Sequence, residues 1–254
     1  MEQTSLRQRL FLSTTADDAV RQARARRLGL ELADFCYAPQ MENVDALRAA
    51  QEKMHGTERF WLHAPFAELC PCAIDPMIRA VAQERFRQTA ALAQRLNITR
   101  IVVHGGFLPK VYFPQWYTEQ SVRFWKELLE QLPKNLTLAL ENVLEPSPEL
   151  LTQIAAQVDD PRFGLCLDVG HANIVGSPLA WLEAMRPWLI HVHLHDNSGA
   201  WDDHAPLGTG NVPLVPLLER LTADCPSVTC TIENQNCAAS LQWLTAHGYL
   251  EENP

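Results

Sequence analysis

Short apolar segments alternate along this chain with longer segments in which apolar residues recur at helical spacing. The apolar segments cover residues 10–14, 30–35, 60–63, 101–104, 136–141, 163–168, 189–195 and 228–233. Segments of helical period follow them at 20–27, 44–54, 76–96, 115–132, 148–158, 178–185, 214–221 and 238–247. Apolar runs separated by helices are typical of strands in a parallel sheet. Eight such units predict an α/β fold, a single (β/α)8 TIM barrel.

Two local signals predict helix ends. Asp75 precedes Pro76 and predicts the beginning of the third helix, because Asp accepts hydrogen bonds from free amides while Pro fits the first turn. Gly29 predicts the end of the first helix. Glu31 and Asp34 occupy opposite faces of the predicted second strand, so at most one of them points into the barrel.

Length and composition narrow the class of protein. The 254 residues match the size of one (β/α)8 barrel, so we expect a single domain over residues 1–254. With 47% hydrophobic residues, no apolar run long enough to span a membrane and no evident secretory leader, we expect no membrane partner and a cytoplasmic location. The seven cysteines are expected to be reduced. The net charge of −9 disfavours nucleic acid as a partner without excluding it.

The stretch 189–210 carries a dense group of candidate metal ligands. His191, His193 and His195 alternate with apolar residues, so their imidazoles share one face of the predicted strand. Asp202 and His204 follow in the loop beyond it, where a (β/α)8 barrel has its active site. A single histidine on a strand is more often structural than a ligand. Imidazoles and carboxylates in this number are difficult to satisfy without a cation, and they predict a metal site.

Metal-competent side chains also lie at the ends of the neighbouring predicted strands. The predicted metal ligands are His63, His104, Glu141, Asp168, His171, His193, Asp202, His204 and Glu233. Small residues two and four positions before Glu141 and Glu233 indicate that both glutamates point inward. An acid at a strand end can instead cap the next helix, but capping does not explain the histidines at the same rim. We place His191 deeper in the barrel and His55 and His247 outside the cluster.

Several segments resemble those of the xylose isomerase-like TIM-barrel superfamily, which contains sugar phosphate isomerases and epimerases and is related to endonuclease IV. They are A-L-E-N, L-C-L-D-V-G-H, H-V-H-L-H-D-N-x-G, D-D-H-A-P-L-G-T-G and T-I-E-N. For an isomerase the resemblance implies one Mn²⁺, Mg²⁺ or Co²⁺ ion held by Glu141, Asp168, His193 and Glu233. It also implies that Glu141 and Glu233 move the substrate proton and that His171 binds a substrate oxygen. A divalent cation makes such proton transfer chemically coherent, because it acidifies the C–H beside a ketose carbonyl.

The nine predicted ligands also match those of three zinc ions in the endonuclease IV group, where clustered metals suit phosphodiester hydrolysis. The surroundings differ, since N-V-L-E-P-S-P follows Glu141 in place of a glycine-rich motif and counterparts of the DNA-penetrating loops are not evident. Lys110 is the chief cation of the predicted rim loops, whereas a DNA enzyme needs several to neutralise phosphates. The acids predicted near this rim are Glu145, Glu149, Asp196, Asp202 and Asp203.

We therefore favour a metal-dependent isomerase or epimerase acting on a small sugar or ketose. An endonuclease IV-like zinc phosphodiesterase acting on abasic-site DNA is the alternative, and a metal-binding barrel without this catalysis is the third hypothesis. We expect one to three divalent ions, zinc or manganese, with magnesium or cobalt as further options. The oligomeric state and the identity of the sugar stay open.

Four residues are predicted to contact the substrate. They are Phe66, Lys110, Tyr112 and Trp116. The resemblance to the endonuclease IV group points to Phe66, because that group uses an aromatic side chain there. The other three lie in the loop 105–117, which we expect to line the mouth together with Tyr117. The few basic residues near this rim favour an unphosphorylated sugar.

Overall fold

The computed structural model describes residues 6–251 and contains a closed barrel of eight parallel strands in chain order. The strands are β1 (Leu10–Ser13), β2 (Gly29–Leu32), β3 (Phe60–His63), β4 (Arg100–His104), β5 (Thr137–Glu141), β6 (Phe163–Asp168), β7 (Leu189–Leu194) and β8 (Thr229–Ile232). Pairing of β8 with β1 closes the sheet. The predicted single (β/α)8 barrel is confirmed.

One short helix precedes β1, and the other helices follow the strands. They are α1 (Leu6–Arg9), α2 (Ala19–Arg26), α3 (Val44–Met54), α4 (Pro76–Arg95), α5 (Pro114–Gln131), α6 (Glu149–Val158), α7 (Val169–Val175), α8 (Pro178–Met185), α9 (Leu214–Asp224) and α10 (Cys237–Ala246). Two 3-10 helices cover Ala38–Glu42 and Arg186–Trp188. Asp75 caps α4 as predicted, since its side chain accepts from the Met77 amide. Within residues 6–251, no helix combines the length and apolar character needed to cross a membrane.

The prediction that Gly29 ends the first helix is wrong. Arg27 is the C-cap of α2, in the left-handed conformation at φ 55°, and its amide donates to the Ala23 carbonyl. Gly29 instead begins β2, where an added Cβ would lie 2.2 Å from the ring of Phe11. The glycine is therefore needed for close packing inside the barrel and not for a turn.

The short helix α7, which the apolar pattern of the sequence does not predict, begins directly after β6. Asp168 is the last residue of β6 and also the N-cap of α7, because its Oδ1 atom accepts from the His171 amide at 2.7 Å. Gly170 lies against His195, and an added Cβ would be 1.9 Å from the imidazole. The helix therefore forms where a cap and a glycine allow close packing on the loop after β7.

The barrel interior has an apolar floor and a polar upper part. Phe11, Trp61, Val102, Ala139 and Cys166 form an apolar cluster inside the strands. The predicted inward direction of Ala139 is thus confirmed. A larger apolar core between strands and helices supports the barrel from outside. Apolar side chains thus fill the lower part of the barrel interior, and the polar side chains lie at the C-terminal ends of the strands.

Candidate metal centre

All nine predicted ligands lie at the C-terminal ends of the strands, which we call the mouth. His63, His104, Glu141, Asp168 and His193 belong to β3 through β7, and Glu233 follows β8 directly. His171 is in the first turn of α7, and Asp202 and His204 are in the loop after β7. Strand register contributes, because His104 pairs with Glu141 and Asp168 pairs with His193. The fold therefore gathers donors from six consecutive strands or the loops that follow them.

One half of the site is arranged around Glu141, and we call it the Glu141 group. The Oε2 atom of Glu141 lies 3.3 Å from His63 Nε2 and 3.0 Å from His104 Nε2. The Oε1 atom lies 3.2 Å from His193 Nδ1. That same nitrogen lies 2.8 Å from Glu233 Oε2. Two glutamates from β5 and the end of β8 thus converge on one imidazole.

The other half is arranged around Asp202, and we call it the Asp202 group. The Oδ2 atom of Asp202 lies 3.2 Å from His171 Nε2 and 3.1 Å from His204 Nε2. Asp168 lies between the two halves, with carboxylate oxygens 3.5 Å from His171 Nδ1 and 3.8 Å from His193 Nδ1. The two groups therefore form one continuous polar site.

Backbone carbonyls determine which nitrogen three of the histidines present to the site. The Nδ1 atoms of His63, His171 and His204 lie 2.8–2.9 Å from the carbonyl oxygens of Ala64, Asn142 and Glu233, respectively. A carbonyl oxygen can only accept, so each Nδ1 carries the proton and donates it. Nε2 is then the nitrogen that faces the neighbouring carboxylates, and it presents its lone pair when a cation takes the place of its proton. This tautomer is the one that a metal ligand requires.

Without metal, the negative carboxylates of the site are compensated by protonated histidines. Burial opposes charge on Glu141, but His193 and His104 hold the pKa of this carboxyl well below its usual range. Burial likewise opposes charge on Asp168, yet His171 and His195 lower its pKa to about 2. On the basic side, burial is outweighed by the hydrogen bond to Asp202 and the charge of Glu233, which raise the pKa of His204 to about 9. Protons on imidazoles thus occupy positions that a cation can take.

The donor set fits a divalent cation. His63, His104 and Glu141 offer ligand atoms that lie within 4.8 Å of one another, as do His171, His195, Asp202 and His204 in the other half. The Oδ1 atom of Asp202 is buried and lacks a hydrogen-bond partner among residues 6–251. A buried carboxylate oxygen without a donor is costly unless a cation satisfies it. Imidazole and carboxylate together suit zinc and other first-row divalent ions.

Two buried residues of the site were not predicted as members of it. His195 lies one residue beyond β7, and its Nε2 atom contacts both carboxylate oxygens of Asp168. Glu31 in β2 points inward and contacts His191 and His193, while Asp34 on the opposite face binds Lys53 and Thr14. The period-two pattern of 191, 193 and 195 already indicated His195, and the parity argument already allowed Glu31.

A buried aspartate organises the loop that carries Asp202 and His204. Asp196 accepts hydrogen bonds from the amides of Asn197, Gly208, Gly210 and Val212, at 2.9–3.0 Å. Its backbone also pairs with Ala205 in an isolated antiparallel bridge. Asp196 is therefore a buried structural acceptor. Glu145 is likewise buried, and it accepts from the Tyr117 hydroxyl at 2.6 Å.

The predicted substrate contacts differ in position. Phe66 is 42% exposed and stacks on His104 with ring centroids 4.7 Å apart, so it lies at the mouth. Lys110 is exposed in the loop after β4. Trp116 is directed toward the loop after β3, because its indole donates to the Cys72 carbonyl at 2.9 Å. Tyr112 is partly buried in the loop after β4. Burial and the neighbouring Cys70 raise the pKa of its hydroxyl group to about 12, so it keeps its proton at neutral pH.

Tyr117 does not line the mouth. It is fully buried, and its hydroxyl group donates to Glu145, so the expectation that it faces the substrate is wrong. Large apolar side chains are exposed on the loops after β3, β4, β5 and β7. They include Phe66, Leu108, Val111, Phe113, Leu144 and Trp201. An apolar and aromatic rim thus surrounds a buried polar site.

Comparison with known proteins gave the following matches. The family model for the xylose isomerase-like TIM barrel matches residues 22–252. Uncharacterized protein MJ1311 of Methanocaldococcus jannaschii is 30% identical over 187 residues, which cover 69% of this chain and 64% of that protein, less than two thirds of its length. Probable endonuclease 4 of Mycobacterium leprae is 22% identical over 211 residues, with coverage of 77% and 82%.

Two solved structures extend over nearly the whole chain. A D-tagatose 3-epimerase-like protein has a TM-score of 0.78 at 24% identity, covering 96% of this chain and 97% of that one. The TTHB071 protein from Thermus thermophilus, in a crystal soaked with ZnCl2, has a TM-score of 0.77 at 25% identity, with coverage of 94% and 98%.

Proposed function

Because this chain belongs to the xylose isomerase-like TIM-barrel family, we propose that it is a divalent-metal-dependent isomerase or epimerase acting on a small sugar or ketose. The proposed ligands are the nine donors of the mouth, and they can serve one to three ions of zinc or manganese. The epimerase-like name of one matched structure and the zinc soak of the other support this class. We assign the activity to one domain, residues 1–254.

The convergence of Glu141 and Glu233 on His193 carries the proposal. Their carboxylate oxygens lie 3.2 and 2.8 Å from the same Nδ1 atom, although the two residues come from different strands of the barrel. These two glutamates would hold a divalent cation together with His193, so two carboxylates would lie beside a substrate bound to that ion. Such a pair suits epimerisation above all, because one group removes a proton from one face of the carbon and another returns a proton to the opposite face.

The residues of the mouth have distinct proposed roles. Glu141 removes the proton from the carbon beside the carbonyl, and the carbonyl electron pair moves onto oxygen as an enediolate forms. The C=O bond then forms again while the protonated form of Glu233 gives its proton to the opposite face of the same carbon. Proton exchange with water returns Glu141 to the carboxylate and Glu233 to the acid, which brings deuterium into the sugar in D₂O. A divalent cation, when bound, polarises the carbonyl and its neighbouring hydroxyl.

Where one ion is held by Glu141, Asp168, His193 and Glu233, His171 binds a substrate oxygen through Nε2, since its Nδ1 proton is donated to the Asn142 carbonyl. Phe66 offers an aromatic face to the C–H groups of the sugar.

The rim favours a neutral substrate. The exposed side chains around the polar site include the aromatic rings of Phe66, Phe113 and Trp201. Lys110 is exposed, and we keep it as a proposed substrate contact together with Tyr112 and Trp116. A phosphorylated sugar would require several fixed donors for its charge. We therefore propose an unphosphorylated sugar.

The alternative is a zinc phosphodiesterase that acts on abasic-site DNA. The division of the donors into a Glu141 group and an Asp202 group favours it, since both halves offer ligands and clustered metals suit phosphoryl chemistry. The relationship to probable endonuclease 4 points the same way. Phosphate contacts from Lys and Arg dominate DNA affinity, however, and the net charge of −9 opposes it. Nucleic acid is therefore the less favoured partner.

One pair of assays separates these functions. Ketohexoses and ketopentoses are incubated in D₂O with the zinc- or manganese-loaded protein, and deuterium in the sugar is measured by mass spectrometry. An abasic-site duplex is tested under the same conditions. We expect deuterium incorporation in at least one ketose and a loss of about 10²-fold or more in Glu141→Gln and Glu233→Gln.

Glu149→Gln is the matched control, because Glu149 is an exposed glutamate at the beginning of α6. It is expected to retain the wild-type rate. Strand cleavage that disappears in Glu141→Gln, without deuterium in any sugar, would instead establish the phosphodiesterase. Metal binding with neither reaction would leave a metal-binding barrel without this catalysis.

A further inference from the structure

A chain of hydrogen bonds runs through the barrel interior beneath the mouth. We call it the polar column, and it consists of Trp61, Thr229, His191, Glu31 and His193, with Thr231 at its side. Trp61 Nε1 lies 3.1 Å from Thr229 Oγ1, and that oxygen lies 2.6 Å from His191 Nδ1. His191 Nε2 lies 3.0 Å from Glu31 Oε2, and Glu31 Oε1 lies 3.0 Å from His193 Nε2.

The column is buried along most of its length, and only Thr229 at its lower end is partly exposed. Glu31 and Trp61 are each 1% exposed, and His191 and His193 are fully buried. The indole of Trp61 stacks on His191 with ring centroids 4.2 Å apart, and Phe11 meets the same imidazole at its edge. A buried polar network of this kind is unfavourable unless its donors and acceptors match. The matching determines where each proton lies.

The groups at the two ends of the column determine which atom donates and which accepts in each of its hydrogen bonds. At the lower end the Trp61 indole can only donate, so Thr229 Oγ1 accepts and has one proton left to give. At 2.6 Å His191 Nδ1 is a better acceptor for that proton than the Ile190 carbonyl at 3.3 Å. At the upper end a carboxylate can only accept, so His191 and His193 both donate to Glu31 from Nε2. Thr231 adds a third donor to Glu31, at 2.5 Å.

These donors and acceptors determine which nitrogen of His193 can bind a cation. Without metal, His193 Nδ1 also carries a proton, which Glu141 and Glu233 accept. When a cation takes the place of that proton, the imidazole keeps its proton on Nε2 and must bind through Nδ1. Three other site histidines present Nε2, because carbonyl oxygens bind their Nδ1 protons. Among residues 6–251, His193 makes no such contact with a carbonyl through its ring, and the column supplies the equivalent acceptor.

We propose that the polar column is a positioning device, in which Glu31 holds His193 with Nδ1 directed at the mouth and Thr229 and His191 hold Glu31. The proposal rests on the metal-binding role given to His193 in the proposed function. Glu31 is a positioning residue, since it acts on the site through the imidazole. Carboxylates that bind the distal nitrogen of a histidine ligand orient the ring and raise its basicity.

A second interpretation of the same residues is a separate metal site at Glu31, His191 and His193, whose ligand atoms lie within 4.8 Å of one another. The hydrogen bonds argue against it. Each of the four imidazole nitrogens already has a partner, and the Glu31 oxygens accept three donors. A cation would break several of these bonds in a space already filled by Trp61.

The test uses full-length protein with two independent sets of variants. Glu31→Gln replaces one acceptor oxygen by an NH₂ group that opposes the imidazole and hydroxyl donors. Thr229→Val removes the hydroxyl group three hydrogen bonds away from His193 at similar volume, and Thr229→Ser restores it. Zinc affinity is measured by competition with a chelator, and circular dichroism verifies folding. The protonated nitrogen of His193 is identified by ¹⁵N NMR of the zinc-loaded protein.

We expect a 10–100-fold loss of zinc affinity in Glu31→Gln, a smaller loss in Thr229→Val, and recovery in Thr229→Ser. In wild type, NMR should find the His193 proton on Nε2 and zinc on Nδ1. Wild-type affinity in both Glu31→Gln and Thr229→Val, or zinc on His193 Nε2, would overturn the proposal. If Glu31→Gln does not fold, the contrast between Thr229→Val and Thr229→Ser decides it.

These outcomes are distinguishable from failure of the proposed function. Zinc binding that weakens in the column variants, without turnover of any ketose, would support the column and contradict the isomerase. A zinc peak among Glu31, His191 and His193 in an anomalous difference map would contradict the column alone. Wild-type protein that binds neither zinc nor manganese would contradict both.

Discussion

The Nε2 atom of His195 lies 2.9 and 3.1 Å from the two carboxylate oxygens of Asp168. The imidazole of His195 also stacks on His204, with ring centroids 4.0 Å apart and planes inclined by 10°. His195 is thus held between the strand that ends in Asp168 and the loop that carries Asp202 and His204. It contacts both halves of the candidate site and controls the orientation of a proposed ligand.

Replacing His195 by Phe should weaken metal binding. The ring keeps its stacking partner, but Asp168 loses a donor, and loss of such an outer contact typically costs a factor of about 10–100 in metal affinity. Zinc affinity measured with a competing chelator tests this. His247→Phe is the matched control, because exposed His247 also stacks on an aromatic ring, that of Trp243, away from the mouth. Equal affinities of the two variants would contradict the prediction.

Metal removal should destabilise the protein more at high pH than at neutral pH. In the metal-free protein the pKa of His204 is raised to about 9, so its ion pairing is fully present below its unfolded value of 6.5 and is lost as pH rises to 9. Metal binding has the opposite dependence, since protons compete for the same nitrogens. The difference in Tm between zinc-loaded and EDTA-treated protein should therefore widen from pH 6.5 to pH 9. A difference that narrows would argue against the predicted ligands.

Tyr117→Phe should destabilise the fold. The variant leaves the buried Glu145 carboxylate without the hydroxyl that donates to it at 2.6 Å, while the Val143 amide at 2.8 Å is retained. Loss of one buried partner costs about 1–3 kcal/mol. The free energy of unfolding from urea denaturation measures it. Tyr249→Phe is the control, since that partly exposed hydroxyl makes a 3.2 Å contact to a carbonyl, and a similar loss there would refute the burial argument.

Asp196→Asn should loosen the loop 197–212. The amide group keeps one acceptor oxygen but directs an NH₂ group at two of the backbone amides that Asp196 now binds. We expect faster chymotrypsin cleavage after Trp201, which is 74% exposed, and weaker metal binding by the Asp202 group. Asp203→Asn changes a more accessible acid in the same loop and serves as control. Cleavage of both variants at the wild-type rate would contradict the assigned role.

The positions of the candidate ligands could be predicted from the sequence because strand geometry is regular. His63, Glu141 and Asp168 end apolar segments, and the C-terminal ends of parallel strands meet at one rim. The period of two then determines which side chains point inward, as Ala139 illustrates. The apolar pattern of each strand and the closure of the barrel are therefore sufficient to place these ligands at one rim.

Residues whose role depends on three-dimensional contacts between distant segments were less predictable. Asp196 has the sequence context of a surface acid, but the fold brings the amides of residues 208–212 around its carboxylate. Glu31 is separated by 160 residues from His191, and only the closed order of strands brings β2 near β7 across the interior. The short α7 depends on the Asp168 cap and on Gly170, which has no side chain and so leaves space for His195. That contact is not visible in the sequence.

The spread of the proposed ligands along the chain also orders events during biosynthesis. The set begins at His63 and ends at Glu233, and β8 must be present before the barrel can close on β1. A nascent chain that stops before residue 233 therefore cannot assemble the complete donor set. The Asp202 group has all its donors once residue 204 has been added, whereas the Glu141 group gains Glu233 only directly after the last strand.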